Sequence, residues 1–191
     1  MLSNGGLVAF PTDTLYALGA QAGIEKSVRK VFEAKLRPTD SSLPVLVAEA
    51  SDLDRVGVEI PQVAWDFASV FWPGPLTLIV SRSDLIPSLV TGYGDTVAVR
   101  MPASSVALSI IGKLGEPVVG TSANITGGPD PVDANEVLRQ LSGRIDLIVD
   151  GGPCLYMGSS TILDVTVSPP KIIRQGVVRR EALEAISPFI I

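Results

Sequence analysis

The sequence predicts an α/β protein in which helices flank a twisted sheet of mixed parallel and antiparallel strands. Short runs rich in β-branched residues alternate with segments whose apolar residues recur at helical spacing. This alternation is typical of α/β folds, and polar residues collect where several of the strands end. The 191 residues can bury a full core, and neither a low-complexity linker nor a change of composition divides them. We therefore expect one domain over residues 1–191.

Local signals define the elements of the first half of the chain. Apolar residues recur at helical spacing between residues 24 and 35, and Pro38 stops that helix. The segment Ser51-Asp52-Leu53-Asp54 resembles a capping box with Asp in place of Glu, and Pro61 suits the first turn of the next helix. Strands are predicted at 6–10, 43–48, 76–80 and 96–100.

The second half contains similar signals. Ser104 is predicted to cap a helix that ends near Gly115. Asp133 and Glu136 predict a capping box at the start of another helix. A short closing helix is predicted at residues 181–186. Strands are predicted at 117–120, 147–149, 159–164 and 171–174.

The composition restricts the possible chemistry. The chain has no histidine and a single cysteine, which excludes histidine-based nucleophilic catalysis and an internal disulfide. A net charge of −5 argues against a protein that grips nucleic acid through a broad basic face. The apolar runs have strand length and Met1–Gly6 lacks signal-peptide features, so we expect a cytoplasmic protein without stable membrane contact. Catalysis must rely on Lys, Arg, carboxylates, hydroxyls and backbone amides.

Three polar stretches are candidates for a ligand site. Thr121-Ser122-Ala123-Asn124 follows a predicted buried strand, where Gly120 is expected to end the strand and allow close approach. Thr12-Asp13-Thr14 follows the first strand, and Lys35 and Arg37 lie at the predicted frayed end of the first helix. Each stretch alone is also compatible with turns and helix caps.

These stretches and five others occur in the order found in a known family. They are Pro11-Thr12-Asp13-Thr14, Lys35-Leu36-Arg37-Pro38, Trp72-Pro73-Gly74-Pro75-Leu76-Thr77, Val99-Arg100-Met101-Pro102, Thr121-Ser122-Ala123-Asn124, Asp150-Gly151-Gly152, Ser160-Thr161 and Arg174-Gln175-Gly176. From about Gly5 to Arg174 the chain resembles the YrdC family of threonylcarbamoyl-AMP synthases. The resemblance implies a YrdC-like fold around a concave cavity. It also implies a nucleotidyltransferase that makes threonylcarbamoyl-AMP and pyrophosphate from L-threonine, bicarbonate and ATP.

The resemblance further implies site residues, a cofactor and a partner. Lys35 and Arg37 would be catalytic and would hold the triphosphate. The ATP site would also include Ser41, Ser122, Asn124 and Arg174, and the threonine site Thr14, Thr96, Arg100 and Ser160. Mg²⁺ would accompany ATP with no protein ligands assigned, and a downstream threonylcarbamoyltransferase would use the product to modify tRNA adenosine.

Other interpretations remain open at this stage. Lys35 and Arg37 could form a solvated helix end, and Arg100 could form an internal salt bridge. Asp13, Asp150 and Asp164 could touch magnesium, although capping and turn roles are expected. Ser41-Ser42 and Ala17 depart from the family's usual residues, so one alternative is a YciO-like nucleotide-binding paralogue of different activity. The other is an RNA-binding module, because the concave cavity that the resemblance implies is often basic in this family.

Overall fold

The computed structural model describes residues 1–188 and 190–191, and its centre is a nine-stranded sheet. The strand order is β7-β1-β2-β6-β3-β5-β4-β8-β9. Pairs β1–β7, β3–β5 and β4–β8 are parallel and the other five are antiparallel, which confirms the predicted mixed sheet. The strands are β1 (Val8–Phe10), β2 (Ala17–Gln21), β3 (Val45–Leu46), β4 (Leu76–Ser81), β5 (Thr96–Arg100), β6 (Val118–Ser122), β7 (Leu147–Ile148), β8 (Thr161–Asp164) and β9 (Lys171–Arg174).

The N-cap residues predicted at Ser104 and Asp133 are in place, whereas Pro61 is the N-cap residue before its helix rather than part of the first turn. The Ser104 hydroxyl accepts a hydrogen bond from the N–H of Ala107, as expected. The Asp133 carboxylate accepts the N–H of Glu136, but the Glu136 side chain bonds Arg139 and Gln140, so only half of the predicted capping box is present among the described residues. The predicted box at residues 51–54 is wrong, because the reciprocal capping pair is Glu49 with Asp52 around a 3-10 turn. The helices are α1 (Glu25–Lys35), α2 (Leu53–Val56), α3 (Gln62–Phe71), α4 (Ser105–Leu114), α5 (Ala134–Leu141) and α6 (Arg180–Glu184). Within the described ranges, none of the helices has the length and apolar character needed to span a bilayer.

The sheet buries side chains on both faces, and the alternation of each strand assigns its residues to one of two apolar clusters. In β1, Ala9 belongs to the larger cluster, whereas Val8 and Phe10 belong to the smaller. Helices α1, α3 and α5 contribute to the larger cluster. Helix α4 supplies Ala107 and Ile111 to the smaller one.

In the half of the sheet formed by β5, β4, β8 and β9, one face packs into the larger cluster and the other face borders a cavity. In β5, Val97 and Val99 belong to the larger cluster, while Ala98 and Arg100 line a cavity. The cavity lies on the face of the smaller cluster, because Val118 of that cluster and Gly120 of the cavity wall point the same way from β6. Helix α4 thus covers one part of this face and the cavity occupies another.

Candidate active site

The cavity has a volume of about 350 Å³ and combines three cations with many hydroxyl groups. This volume lies within the range typical of small-molecule sites. Among the described residues that line it, Arg37, Arg100 and Arg174 face a single carboxylate, that of Asp130. A cavity with this charge balance is suited to an anionic ligand.

Arg100 is a buried cation in the wall of the cavity. Its Nε donates to the carbonyl oxygen of Gly74 at 2.9 Å, its Nη1 to Thr14 Oγ1 at 2.7 Å and its Nη2 to Asp13 Oδ1 at 2.5 Å. Burial lowers the pKa of the Arg100 guanidinium, and the Asp13 carboxylate opposes that shift. The structure therefore brings Thr14 and Arg100 together as expected, and it also contains the internal salt bridge that was the alternative.

A second cation–hydroxyl group lies where β8 and β9 meet the cavity. Arg174 donates to the carbonyl oxygen of Ser160 from Nε at 3.2 Å and from Nη2 at 2.8 Å, and its Nη2 also lies 3.2 Å from Ser160 Oγ. The Ser160 hydroxyl is 2.9 Å from that of Thr77 on β4. Sequence reasoning placed Ser160 and Arg174 in the site but missed Thr77. Its signal was a polar residue within an otherwise apolar strand.

Arg37 reaches the cavity because the chain reverses at the residue before it. Leu36 ends α1 in the left-handed conformation, with φ of 52°. Lys35 on one side of this turn points into the interior, whereas Arg37 on the other lines the cavity. Arg37 Nη2 donates to the carbonyl oxygen of Ser42 at 3.0 Å. Ser42 lines the cavity and the predicted Ser41 does not.

Lys35 is not at a frayed, solvated helix end, and that expectation is wrong. The side chain is 1% exposed, and Nζ donates to the carbonyl oxygens of Ser122 at 2.5 Å and Asn124 at 2.7 Å. A third bond of 3.1 Å goes to Asn124 Oδ1. Burial, with a smaller effect of the Arg37 charge, lowers the pKa of Lys35 from 10.5 to about 8. In this structure the ammonium ties α1 to the end of β6, and Lys35 does not line the cavity.

Asn124 belongs to the same buried network, whereas Thr121 and Ser122 at the end of β6 line the cavity. Asn124 Oδ1 accepts a bond of 2.7 Å from Ser122 Oγ, and its Nδ2 donates to the carbonyl oxygen of Gly128 at 3.0 Å. Asn124 is 7% exposed and lies outside the cavity lining, whereas Ser122 is part of it. The sequence prediction of a polar cluster near the site holds, but Asn124 is placed to support Ser122 rather than to face the ligand space.

Thr96 and Gly120 also differ from expectation. Thr96 is the exposed first residue of β5 and lies outside the cavity lining, about 13 Å along the strand from Arg100. Gly120 does not end β6 but lies at its centre. A Cβ there would come within 2.3 Å of the Leu46 side chain, so the close approach that glycine permits is to Leu46.

The three aspartates considered as possible metal contacts have other partners. Asp13 pairs with Arg100, Asp150 Oδ1 lies 3.4 Å from the hydroxyl of Tyr16, and Asp164 accepts bonds from the backbone and side chain of Thr166. In the part of the chain that the structure describes, no group of three or more potential metal-ligating side chains occurs.

The fold and this cavity define the class of protein. It is an α/β protein whose mixed sheet carries an arginine-lined cavity of the size that holds a small anionic ligand. The family model described as "Telomere recombination", which covers Sua5, YciO and YrdC, matches residues 1–176. The chain therefore belongs to the Sua5/YciO/YrdC family.

Individual relatives extend this comparison. The chain is 43% identical to the threonylcarbamoyl-AMP synthase of Pyrococcus abyssi and 41% identical to that of Bacillus subtilis, in each case over 97% of this chain and 54% of the relative. A crystal structure of P. abyssi Sua5 complexed with L-threonine superposes with a TM-score of 0.96 at 43% identity, covering 97% of this chain and 55% of that one. The chain thus spans about half the length of these two curated relatives.

Proposed function

We propose that this protein is an L-threonylcarbamoyladenylate synthase, which forms threonylcarbamoyl-AMP and pyrophosphate from L-threonine, bicarbonate and ATP. The observation that carries the proposal is a single cavity in which Arg100 with Thr14 and two further guanidiniums are available to different anionic groups. The names of the two relatives and the L-threonine complex of P. abyssi Sua5 support it.

The proposed reaction needs positioning and charge neutralisation. The amino group of threonine combines with bicarbonate to give a carbamate and water. A carbamate oxygen then attacks the α-phosphorus of ATP, and pyrophosphate leaves with the bonding electrons. No covalent enzyme intermediate is required, so the protein contributes by holding the reactants in line and stabilising the charge on the phosphoryl oxygens.

The cavity offers suitable groups for both substrates. Arg100 and Thr14 would hold the threonine carboxylate, because a guanidinium can fork onto carboxylate oxygens. Ser160 would contact the threonine hydroxyl, with Thr77 beside it. Arg37 and Arg174 would neutralise the phosphates, with Ser122 on the nucleotide side.

Lys35, Asn124 and Ser41 have a different place in the proposal from the one that the resemblance implies. Lys35 and Asn124 would act by supporting Ser122, since their polar atoms are engaged with each other and with backbone oxygens. Ser42 takes the place of Ser41 in the lining. Thr96 would take part only if a ligand extended beyond the cavity to the start of β5.

Mg²⁺ would enter this site as the partner of ATP. Magnesium is commonly bound by substrate phosphates with one or two carboxylates and several waters. The Asp130 carboxylate at the cavity fits that pattern, and the ion would neutralise phosphate charge alongside the arginines. The product would pass in the cytoplasm to a threonylcarbamoyltransferase that modifies tRNA adenosine.

The decisive experiment is pyrophosphate release with ATP, Mg²⁺, bicarbonate and single amino acids. We expect release to depend on threonine and to be far slower with valine, because a site that hydrogen-bonds a hydroxyl is left with unpaired polar groups. Serine should lose about 10- to 200-fold in kcat/KM, as a missing methyl usually costs.

Two outcomes would contradict the proposal. Equal rates with valine and threonine would refute the assignment of the hydroxyl groups. Release that needs no amino acid would favour the nucleotide-binding paralogue. The RNA-binding alternative would require tight duplex binding at physiological salt, which the net charge of −5 disfavours.

A further inference from the structure

Asp13 is the most completely buried carboxylate beside the cavity, yet it makes an unusual set of contacts. Its side chain is 0% exposed. Oδ1 accepts both Nη2 of Arg100 at 2.5 Å and the backbone N–H of Ala103 at 3.0 Å. Oδ2 is buried and has no hydrogen-bond partner among the described residues. One oxygen is therefore doubly engaged and the other not at all.

This arrangement is a poor way to gain stability. A buried ion pair gives up hydration on both sides, and replacing such pairs by apolar residues is often neutral or stabilising. An unpaired buried carboxylate oxygen adds a further cost. An arrangement that adds little to stability is better explained by what it does to Arg100.

The contacts hold the Arg100 guanidinium in one orientation. A guanidinium has five N–H groups. Three are used, one each towards Gly74, Thr14 and Asp13. Two N–H groups have no partner within the described residues, and Arg100 lines the cavity. Asp13 and Gly74 thus fix the plane of the group while leaving donors for a ligand.

The hydroxyl of Thr14, which lies next to Arg100, also faces the cavity as a donor. Thr12 Oγ1 donates its proton to the carbonyl oxygen of Leu15 at 2.6 Å and accepts the N–H groups of Thr14 and Leu15. The Thr14 hydroxyl, 3.1 Å away, competes with these two N–H groups for the Thr12 oxygen, so a charged carboxylate in the cavity is the stronger acceptor for the Thr14 proton. The Thr14 oxygen itself already accepts Arg100 Nη1.

We propose that Asp13 is a positioning residue that turns Arg100 and Thr14 into a receptor made only of donors, specific for the carboxylate of the amino-acid substrate. This inference rests on the proposed function and extends it to a residue that does not itself touch the substrate. A receptor of donors alone accepts a carboxylate and offers nothing to a neutral amide's N–H groups, so it distinguishes threonine from threoninamide.

The test compares threonine and threoninamide binding by titration calorimetry in wild type, Asp13→Ala and Asp13→Asn. Asp13→Ala removes the acceptor, so threonine affinity should fall about tenfold to a hundredfold, the range expected when a charge-assisted hydrogen bond no longer fixes the group. Threoninamide affinity should change little, and the pyrophosphate assay should show the loss chiefly in KM. Asp13→Asn keeps an oxygen for Arg100 and Ala103, so it should retain most of the discrimination.

Asp146 provides a matched control. Its Oδ2 accepts one backbone N–H, that of Leu7 at 2.7 Å, and it lies outside the cavity lining. Asp146→Ala and Asp146→Asn should leave the threonine-to-threoninamide ratio unchanged even if they lower the melting temperature.

The outcomes separate this inference from the proposed function. An active wild type whose Asp13→Ala variant keeps its discrimination would overturn the inference alone. If both Asp13 variants lost equal affinity for threonine and threoninamide, Asp13 would have only a structural role, and this result would also overturn the inference. A wild type that neither binds threonine nor releases pyrophosphate would overturn the proposed function and the inference with it.

Discussion

Replacing Lys35 by methionine removes a buried charge while keeping most of the side-chain volume. The folded protein holds this ammonium at 1% exposure, and its pKa falls from 10.5 to about 8, first through burial and second through the Arg37 charge. Between these two values the unfolded chain binds more protons than the folded chain. The free energy of unfolding therefore rises with pH in this window, and Lys35 destabilises the fold most below about pH 8.

The magnitude follows from the same two values. Integrating the difference in proton binding gives a gain of about 2 kcal/mol in the free energy of unfolding between pH 7 and pH 9.5. Lys35→Met cannot show this gain. It also removes the donor that Lys35 supplies to the backbone carbonyl oxygens of Ser122 and Asn124, so the absolute stability changes as well. Only the pH dependence isolates the buried charge.

The assay is urea unfolding of wild type and variant at several pH values from 7 to 9.5. Subtracting the two curves removes the titration of all other groups, and the difference should move by about 2 kcal/mol in favour of the wild type as the pH rises. Lys113→Met is the control, because Lys113 is exposed on α4 and its ammonium is hydrated in both states. A difference between wild type and Lys35→Met that stays constant over this range would refute the reasoning.

Two further predictions concern the fit of a glycine against Leu46 and the N-cap of helix α4. Gly120→Ala should lower the free energy of unfolding by about 1–3 kcal/mol because its methyl group would overlap Leu46. Gly112→Ala is the matched control: Gly112 lies on the exposed face of α4, and an added Cβ would be 3.7 Å from its nearest neighbour, so this change should raise the free energy of unfolding by about 0.5–1 kcal/mol. Ser104→Ala should cost about 1 kcal/mol, since it removes the cap that accepts the N–H of Ala107. Chemical denaturation of the three variants measures both effects, and a Gly120→Ala protein as stable as wild type would show that Leu46 can move aside.

Elements with local signals could be predicted from the sequence, and contacts between distant residues could not. Helix α4 begins after Ser104 and ends before Gly115 as expected, since each cap acts within one turn. The partner of Arg100 lies 87 positions away in Asp13, and only the pairing of the strands brings them together. The alternation in β5 could indicate which way Arg100 points, but not what it meets.

Lys35 shows the same limit most clearly. A lysine at the end of an amphipathic helix ordinarily extends into water, so helical periodicity predicts a solvated cation. The burial arises because three acceptors, 87 and 89 positions away, converge on the helix end. The opposite directions of Lys35 and Arg37 depend on one backbone angle at Leu36, which no residue pattern in this segment signals.

The division of β4, β5 and β8 between core and cavity has a consequence for how the protein can change. Neighbouring residues in these strands alternate between supporting the fold and shaping the ligand space, so the two tasks fall on different side chains. Substitutions at Ile79, Ala98 and Ile162 can therefore alter which molecules fit without disturbing the larger cluster on the opposite face. An insertion of one residue within such a strand exchanges the two roles at every position beyond it, unless a β-bulge absorbs the extra residue as at Ile162 and Leu163. Point substitution is therefore the smaller step towards a new specificity in this architecture.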